Sequence, residues 1–111
     1  GVSEDGDPWK VGVQSPDDPG SLVATLPMRD AGVATSGDYQ RYFEYGGRRY
    51  HHLLDPRTGA PAMIRKRSVT VAAQRCMDGD AAATTAFVSS VEKARKVMNR
   101  VAPDAEIIHT V

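Results

Sequence analysis

Ser68-Val-Thr-Val-Ala-Ala-Gln-Arg-Cys-Met-Asp-Gly-Asp-Ala-Ala-Ala-Thr-Thr-Ala-Phe-Val-Ser-Ser-Val-Glu-Lys-Ala-Arg-Lys-Val-Met-Asn-Arg-Val101 is where the chain changes character. The opening run, Ser68 to Ala73, is rich in β-branched residues and predicts a strand. After Cys76 the alanine-dense run from Asp80 to Val88 predicts a helix that enters a packed core. Ser89 with Glu92 three residues later matches a capping box and predicts the start of a second helix. That helix puts Val91, Ala94, Val97, Met98 and Val101 on one face, with Lys93, Arg95, Lys96 and Arg100 largely elsewhere. Pro103 ends it, and a last strand begins at Ala105 and runs to Val111.

Upstream, the signals are those of short strands. Trp9 to Gln14 alternates Trp9, Val11 and Val13 against Lys10, Gly12 and Gln14. Ser15-Pro-Asp-Asp-Pro-Gly20 is turn chemistry, and Leu22 to Leu26 and Ala31 to Thr35 read as further strands divided by Pro27 to Asp30. Tyr42-Phe-Glu-Tyr45 and the run Arg48 to Leu54 flank Gly46-Gly47, a pair suited to the positive φ values of a tight hairpin turn. Asp55-Pro-Arg-Thr-Gly-Ala-Pro61 then breaks the chain sharply, and residues 1–8 read as a flexible arm. The expected architecture is α+β: one domain over residues 1–111, a largely antiparallel sheet with two helices packed on it.

Composition narrows the function classes. Fourteen Lys+Arg balance fourteen Asp+Glu, a formal net charge of zero, so there is no long-range field to gather nucleic acid or an acidic membrane surface. The single Cys76 cannot form an internal disulfide, and no Cys/His cluster has the spacing of a structural zinc site. No apolar run approaches the ~20 residues of a membrane span. The first residues show no basic and apolar segments of a secretion leader, and localisation stays open.

Three segments could carry chemistry. Asp80 and Thr84, four apart, share one face of a helix and offer a carboxylate and a hydroxyl, the hard oxygens magnesium accepts. The plainer reading is an acidic residue at a helix N-terminus beside a filler threonine. In His51-His-Leu-Leu-Asp-Pro-Arg-Thr-Gly59 the two histidines of a strand point to opposite faces, so that one can face a cleft as a general base while the other meets solvent. The alternative there is a satisfied histidine at a sheet surface. In Ala34-Thr-Ser-Gly-Asp-Tyr39, small residues let backbone amides approach a ligand, or simply make a capped glycine turn.

Together and in this order, these segments resemble the ApbE family, the FAD:protein FMN transferases. The blocks that carry the resemblance are Trp9 to Pro16, Asp30 to Tyr39, His52 to Gly59, Ser68 to Val71 and Gly79 to Thr84, so it extends over nearly the whole chain. The resemblance implies the C-terminal part of a T-fold-like body. It also implies magnesium-dependent cleavage of the FAD pyrophosphate, with FMN passing to a Thr or Ser hydroxyl of an acceptor flavoprotein and AMP leaving. By motif it implies Asp80 and Thr84 as metal ligands, His52 as the catalytic base and Leu53 as a residue lining the FAD site; Thr35, Ser36 and Gly37 receive only a place near it. The chain departs from the family at Gly79 and Ala82, where alanine and a larger apolar residue are usual. The family's upstream pocket, with a further metal ligand, has no counterpart in this sequence. A non-catalytic flavin-binding module, an inactive fragment, and a hydrolase giving FMN and AMP therefore stand beside the transferase, and a missing N-terminal half or a homodimer is expected to complete the pocket.

Overall fold

In the computed structural model, which describes residues 1–63 and 65–111, seven strands and two helices form an α+β fold. The central unit is a three-stranded antiparallel sheet in which β6 (Ser68–Ala73) lies between β3 (Gly32–Gly37) and β7 (Glu106–Thr110). Two separate antiparallel pairs accompany it, β1 (Trp9–Gln14) with β2 (Leu22–Met28), and β4 (Tyr42–Tyr45) with β5 (Arg48–His51). The expected sheet is therefore three sheets. The local patterns give each strand, but nothing local encodes which strands share hydrogen bonds across long separations. The body is correspondingly flat, 51 × 36 × 18 Å.

Being central, β6 is buried on both faces, and its apolar side meets α1 (Cys76–Val88). Val69 and Val71 pack with Ala82, Ala83, Ala86 and Phe87 of α1, with Leu53, and with Ala94 and Met98 of α2 (Val91–Val101). Alanines let α1 approach the sheet closely, and Gly32 lets it approach the neighbouring strand: a Cβ on Gly32 would lie 2.7 Å from the Cys76 Cα.

Three expectations about the helices change. The first begins at Cys76, not Asp80, so Asp80 lies a full turn inside it. Its N-cap, Arg75, makes no side-chain cap bond, so the usual sequence signal for a helix start is absent. The second is capped by Ser90, whose hydroxyl accepts from the Lys93 amide, while Ser89 closes α1 by donating its own N–H to the Thr85 carbonyl. The Ser89–Glu92 capping box is thus displaced by one residue. Finally, Val97 and Val101 are 42% and 73% exposed; only Ala94 and Met98 of that face are buried. The small alanine side chains of α1 leave an open groove of about 140 Å³ between the helices, bordered by Ala82, Val97 and Val101.

Gly46 and Gly47 turn the β4–β5 hairpin with φ of 58° and 72°. β5 ends at His51, earlier than the run to Leu54, because the chain turns into the Asp55–Gly59 loop, where the amides of Thr58 and Gly59 donate to the Asp55 carbonyl. Arg67 ties the peripheral pieces to the centre, donating to Asp38 and Asp17 at 2.8 Å each. No helix among the described residues is long and apolar enough to cross a membrane.

Candidate functional site

A cleft of about 380 Å³ opens between the end of β3, the segment after β5 and the exposed face of α1. His52, Leu53, Asp80 and Thr84 all line it, together with Thr35, Ser36 and Gly37. One helical turn puts Asp80 and Thr84 on the same wall. The facing wall is the end of β3, whose register to β6 places Ser36 opposite Val69 and so directs it toward α1.

The carboxylate and the hydroxyl of this pair differ in their surroundings. Asp80 is exposed, and among the described residues its carboxylate makes neither a hydrogen bond nor an ion pair. Thr84 is half-buried, and its Oγ1 lies 3.0 Å from Ser36 Oγ, itself only 7% exposed. Beside it, Thr35 and Thr70 hydroxyls bond at 2.8 Å, which pins the β3 backbone to β6 at the base of the cleft. Among the described residues no group of three or more His, Cys, Asp or Glu could by itself hold a metal; the hard oxygens along this cleft include those of Asp80 and Thr84.

The histidine pair resolves into two roles. His51 is a satisfied structural residue. Its ring stands edge-on to Phe87 at 5.7 Å, its Nδ1 accepts from the Leu53 amide, and its Nε2 lies 3.2 Å from the Ala62 carbonyl, which can only accept. His52 is exposed on the cleft, with Nδ1 3.2 Å from the Arg41 carbonyl. A carbonyl oxygen has no proton to give, so Nδ1 carries the hydrogen, and in the neutral ring Nε2 keeps its lone pair. Leu53 is buried, both part of the core cluster and a wall of the cleft, so it holds the floor fixed.

Sequence reasoning gave Tyr39 no role of its own within the Ala34–Tyr39 segment and passed over Gln40 and Arg41; these three complete the lining. Burial, reinforced by the Asp38 carboxylate, raises the Tyr39 phenol above its ordinary range and keeps it a hydrogen-bond donor. Gly37 is required by Tyr39: a Cβ there would come 2.5 Å from the tyrosine ring and 3.0 Å from the Arg67 carbonyl. Arg41 contributes through its backbone, for which no side-chain signature exists in sequence.

Comparison with known proteins identifies the family. The sequence model described as the ApbE family matches residues 1–109. A Treponema pallidum protein named FAD:protein FMN transferase is 46% identical over 86 residues, which cover 77% of this chain and 24% of its own length. A Vibrio cholerae protein of the same name is 41% identical over 98 residues, covering 87% and 29%. Among solved structures, the ApbE protein of Thermotoga maritima superposes with a TM-score of 0.71 at 38% identity, over 86% of this chain and 31% of that one. The Pseudomonas stutzeri flavinyl transferase ApbE, in its apo form, gives 0.63 at 36% identity, over 91% and 31%. The chain thus spans about a quarter to a third of the length of the relatives it matches.

Proposed function

The chain belongs to the ApbE family, and from that premise we infer that it forms the metal-and-base side of a flavin-transfer site. FAD is cleaved at its pyrophosphate, FMN passes to a Thr or Ser hydroxyl of an acceptor protein, and AMP leaves. The observation that carries this reading is convergence. Residues from two distant segments, His52 and Leu53 on one side and Asp80 and Thr84 on the other, line a single cleft.

The donor set suits magnesium. A free carboxylate and a hydroxyl supply two hard oxygens, and magnesium ordinarily fills its remaining positions with water and substrate phosphate. When bound, the cation supplies neutralisation of the charge that builds on the pyrophosphate. The chain's own residues do the rest. The Arg41 carbonyl fixes the His52 tautomer, so Nε2 is the atom that takes the proton of the acceptor hydroxyl. Leu53 gives the cleft an apolar wall anchored in the core. The Tyr39 phenol stays protonated and can donate to an anionic ligand.

The test splices this chain into the Treponema pallidum relative in place of the matching segment and incubates the product with FAD, magnesium and a threonine-bearing acceptor. Expected are magnesium-dependent AMP release and a fluorescent acceptor band, both lost in Asp80→Ala. AMP without a fluorescent acceptor would identify a hydrolase. A folded product giving neither signal, or an Asp80→Ala variant as active as its parent, would refute the reading.

A further inference from the structure

Thr84 and Thr85 are neighbours on one helix, yet their hydroxyls are used differently. Thr85 Oγ1 donates to the carbonyl of Ala81, four residues back, at 2.8 Å, the bond a threonine within a helix commonly makes. Thr84 instead turns to another element, with its Oγ1 3.0 Å from Ser36 Oγ on β3. Ser36 is nearly fully buried and held by a rigid strand, so its oxygen is a fixed point and not a mobile surface hydroxyl.

We propose that Ser36 is a positioning residue for the cation, accepting the Thr84 proton so that a Thr84 Oγ1 lone pair is presented to the metal beside Asp80. The inference rests on the metal reading of Asp80 and Thr84. A threonine hydroxyl has one proton and two lone pairs. A cation takes a lone pair and repels the proton, which needs an acceptor outside the coordination sphere. Without one, that proton is left unpaired in a half-buried place and the hydroxyl is a weaker, less fixed ligand. Ser36 Oγ is that acceptor. Its own proton is then free to donate into the cleft, which Ser36 also lines. Partners that hold metal ligands in this way typically change metal affinity 10–100-fold when removed.

The test titrates Mn2+ into the full chain labelled at threonine methyl groups and reads line broadening at Thr84 together with Mn2+ affinity. The unaltered chain should broaden at Thr84. Ser36→Ala should weaken Mn2+ by about tenfold, Ser36→Thr, which keeps the hydroxyl, should restore most of that loss, and Thr85→Val should leave affinity unchanged. Affinity unchanged in Ser36→Ala overturns the proposal while the metal reading stands. A loss that Ser36→Thr does not restore overturns it too, by tracing the effect to packing. No broadening at Thr84 in the unaltered chain removes both the metal reading and the proposal. Should Ser36→Ala fail to fold, the Thr84 χ1 rotamer of the unaltered chain decides, read from three-bond couplings. The rotamer that contacts Ser36 must persist when Mg2+ is added, and its loss on Mg2+ addition overturns the proposal.

Discussion

Gly79→Ala should stabilise the chain, and the size of the gain follows from its surroundings. Gly79 is a buried position in the first turn and a half of α1, with a backbone conformation any residue can adopt. Glycine within a helix costs about 1 kcal/mol relative to alanine, because the unfolded chain loses more freedom. Buried positions often forbid the exchange for lack of room, but here a Cβ would stand 3.6 Å from Ala73 Cβ, 3.7 Å from the Val71 carbonyl oxygen and 3.9 Å from the Ala73 nitrogen. These are ordinary contacts, adding ~0.3–0.6 kcal/mol of dispersion. The expected gain is about 1–1.5 kcal/mol. With an unfolding entropy of about 2.1 cal/mol/K per residue, that raises Tm by roughly 5 °C. Thermal and urea melts followed by far-ultraviolet dichroism measure it, two-state behaviour being checked by coincidence of probes. Gly32→Ala is the internal contrast. Its Cβ would meet the Cys76 backbone at 2.7 Å, and the melt should fall by about 1–3 kcal/mol. An unchanged or lowered Tm for Gly79→Ala would refute the packing of α1 on β6 that the argument assumes.

Other expectations concern charge and chemistry. Lys66 Nζ donates to the carbonyls of Ala86 and Ser89, supplying a cation at the end of α1, whose own last turn has no basic residue; Lys66→Met should cost about 1 kcal/mol in a urea melt, the half-exposed site limiting the loss. The Arg57 side chain bound to Asp55 holds its carboxyl down at about 2. A depressed carboxylate adds stability that is complete above the unfolded value of about 3.9 and disappears as pH falls through the folded one. Asp55→Asn should therefore melt earlier than the parent at neutral pH, and the two urea midpoints should merge as pH falls from about 4 to about 2. In the spliced transferase, His52→Ala should slow FMN transfer by about 10²–10⁴ while FAD binding is kept; lost binding with normal residual chemistry would assign His52 a structural role.

The local parts of the fold were legible in the residues. The Gly46-Gly47 hairpin and the β6 strand declare themselves, since a turn dipeptide and a β-branched run act within a few residues. The start of α1 was not, because Arg75 caps nothing and the Gln74 amide instead finds the carboxylate of distant Asp104 at 2.7 Å. The exposure of Val97 and Val101 was hidden for a similar reason: the helical period marks an apolar face but not whether its partner is large enough to cover it. At the site, Asp80 and Thr84 share a face by spacing alone. That His52 reaches the same cleft is a consequence of tertiary packing, its neighbours His51 and Leu53 docking on α1, and only the family resemblance linked the two segments beforehand. The same resemblance marks Gly79 and Ala82 as departures, and these two positions lie where the helix has room for a larger side chain.

The most direct test of the central claim is a map of where magnesium and FAD touch the chain, from amide and methyl NMR spectra recorded with each alone and with both. The two together should shift Thr35, Ser36, Gly37, His52, Leu53, Asp80 and Thr84, residues that line one cleft, and Asp80→Ala should abolish the magnesium-dependent part. Shifts centred on the groove between the helices, or a magnesium response that survives loss of Asp80, would contradict it.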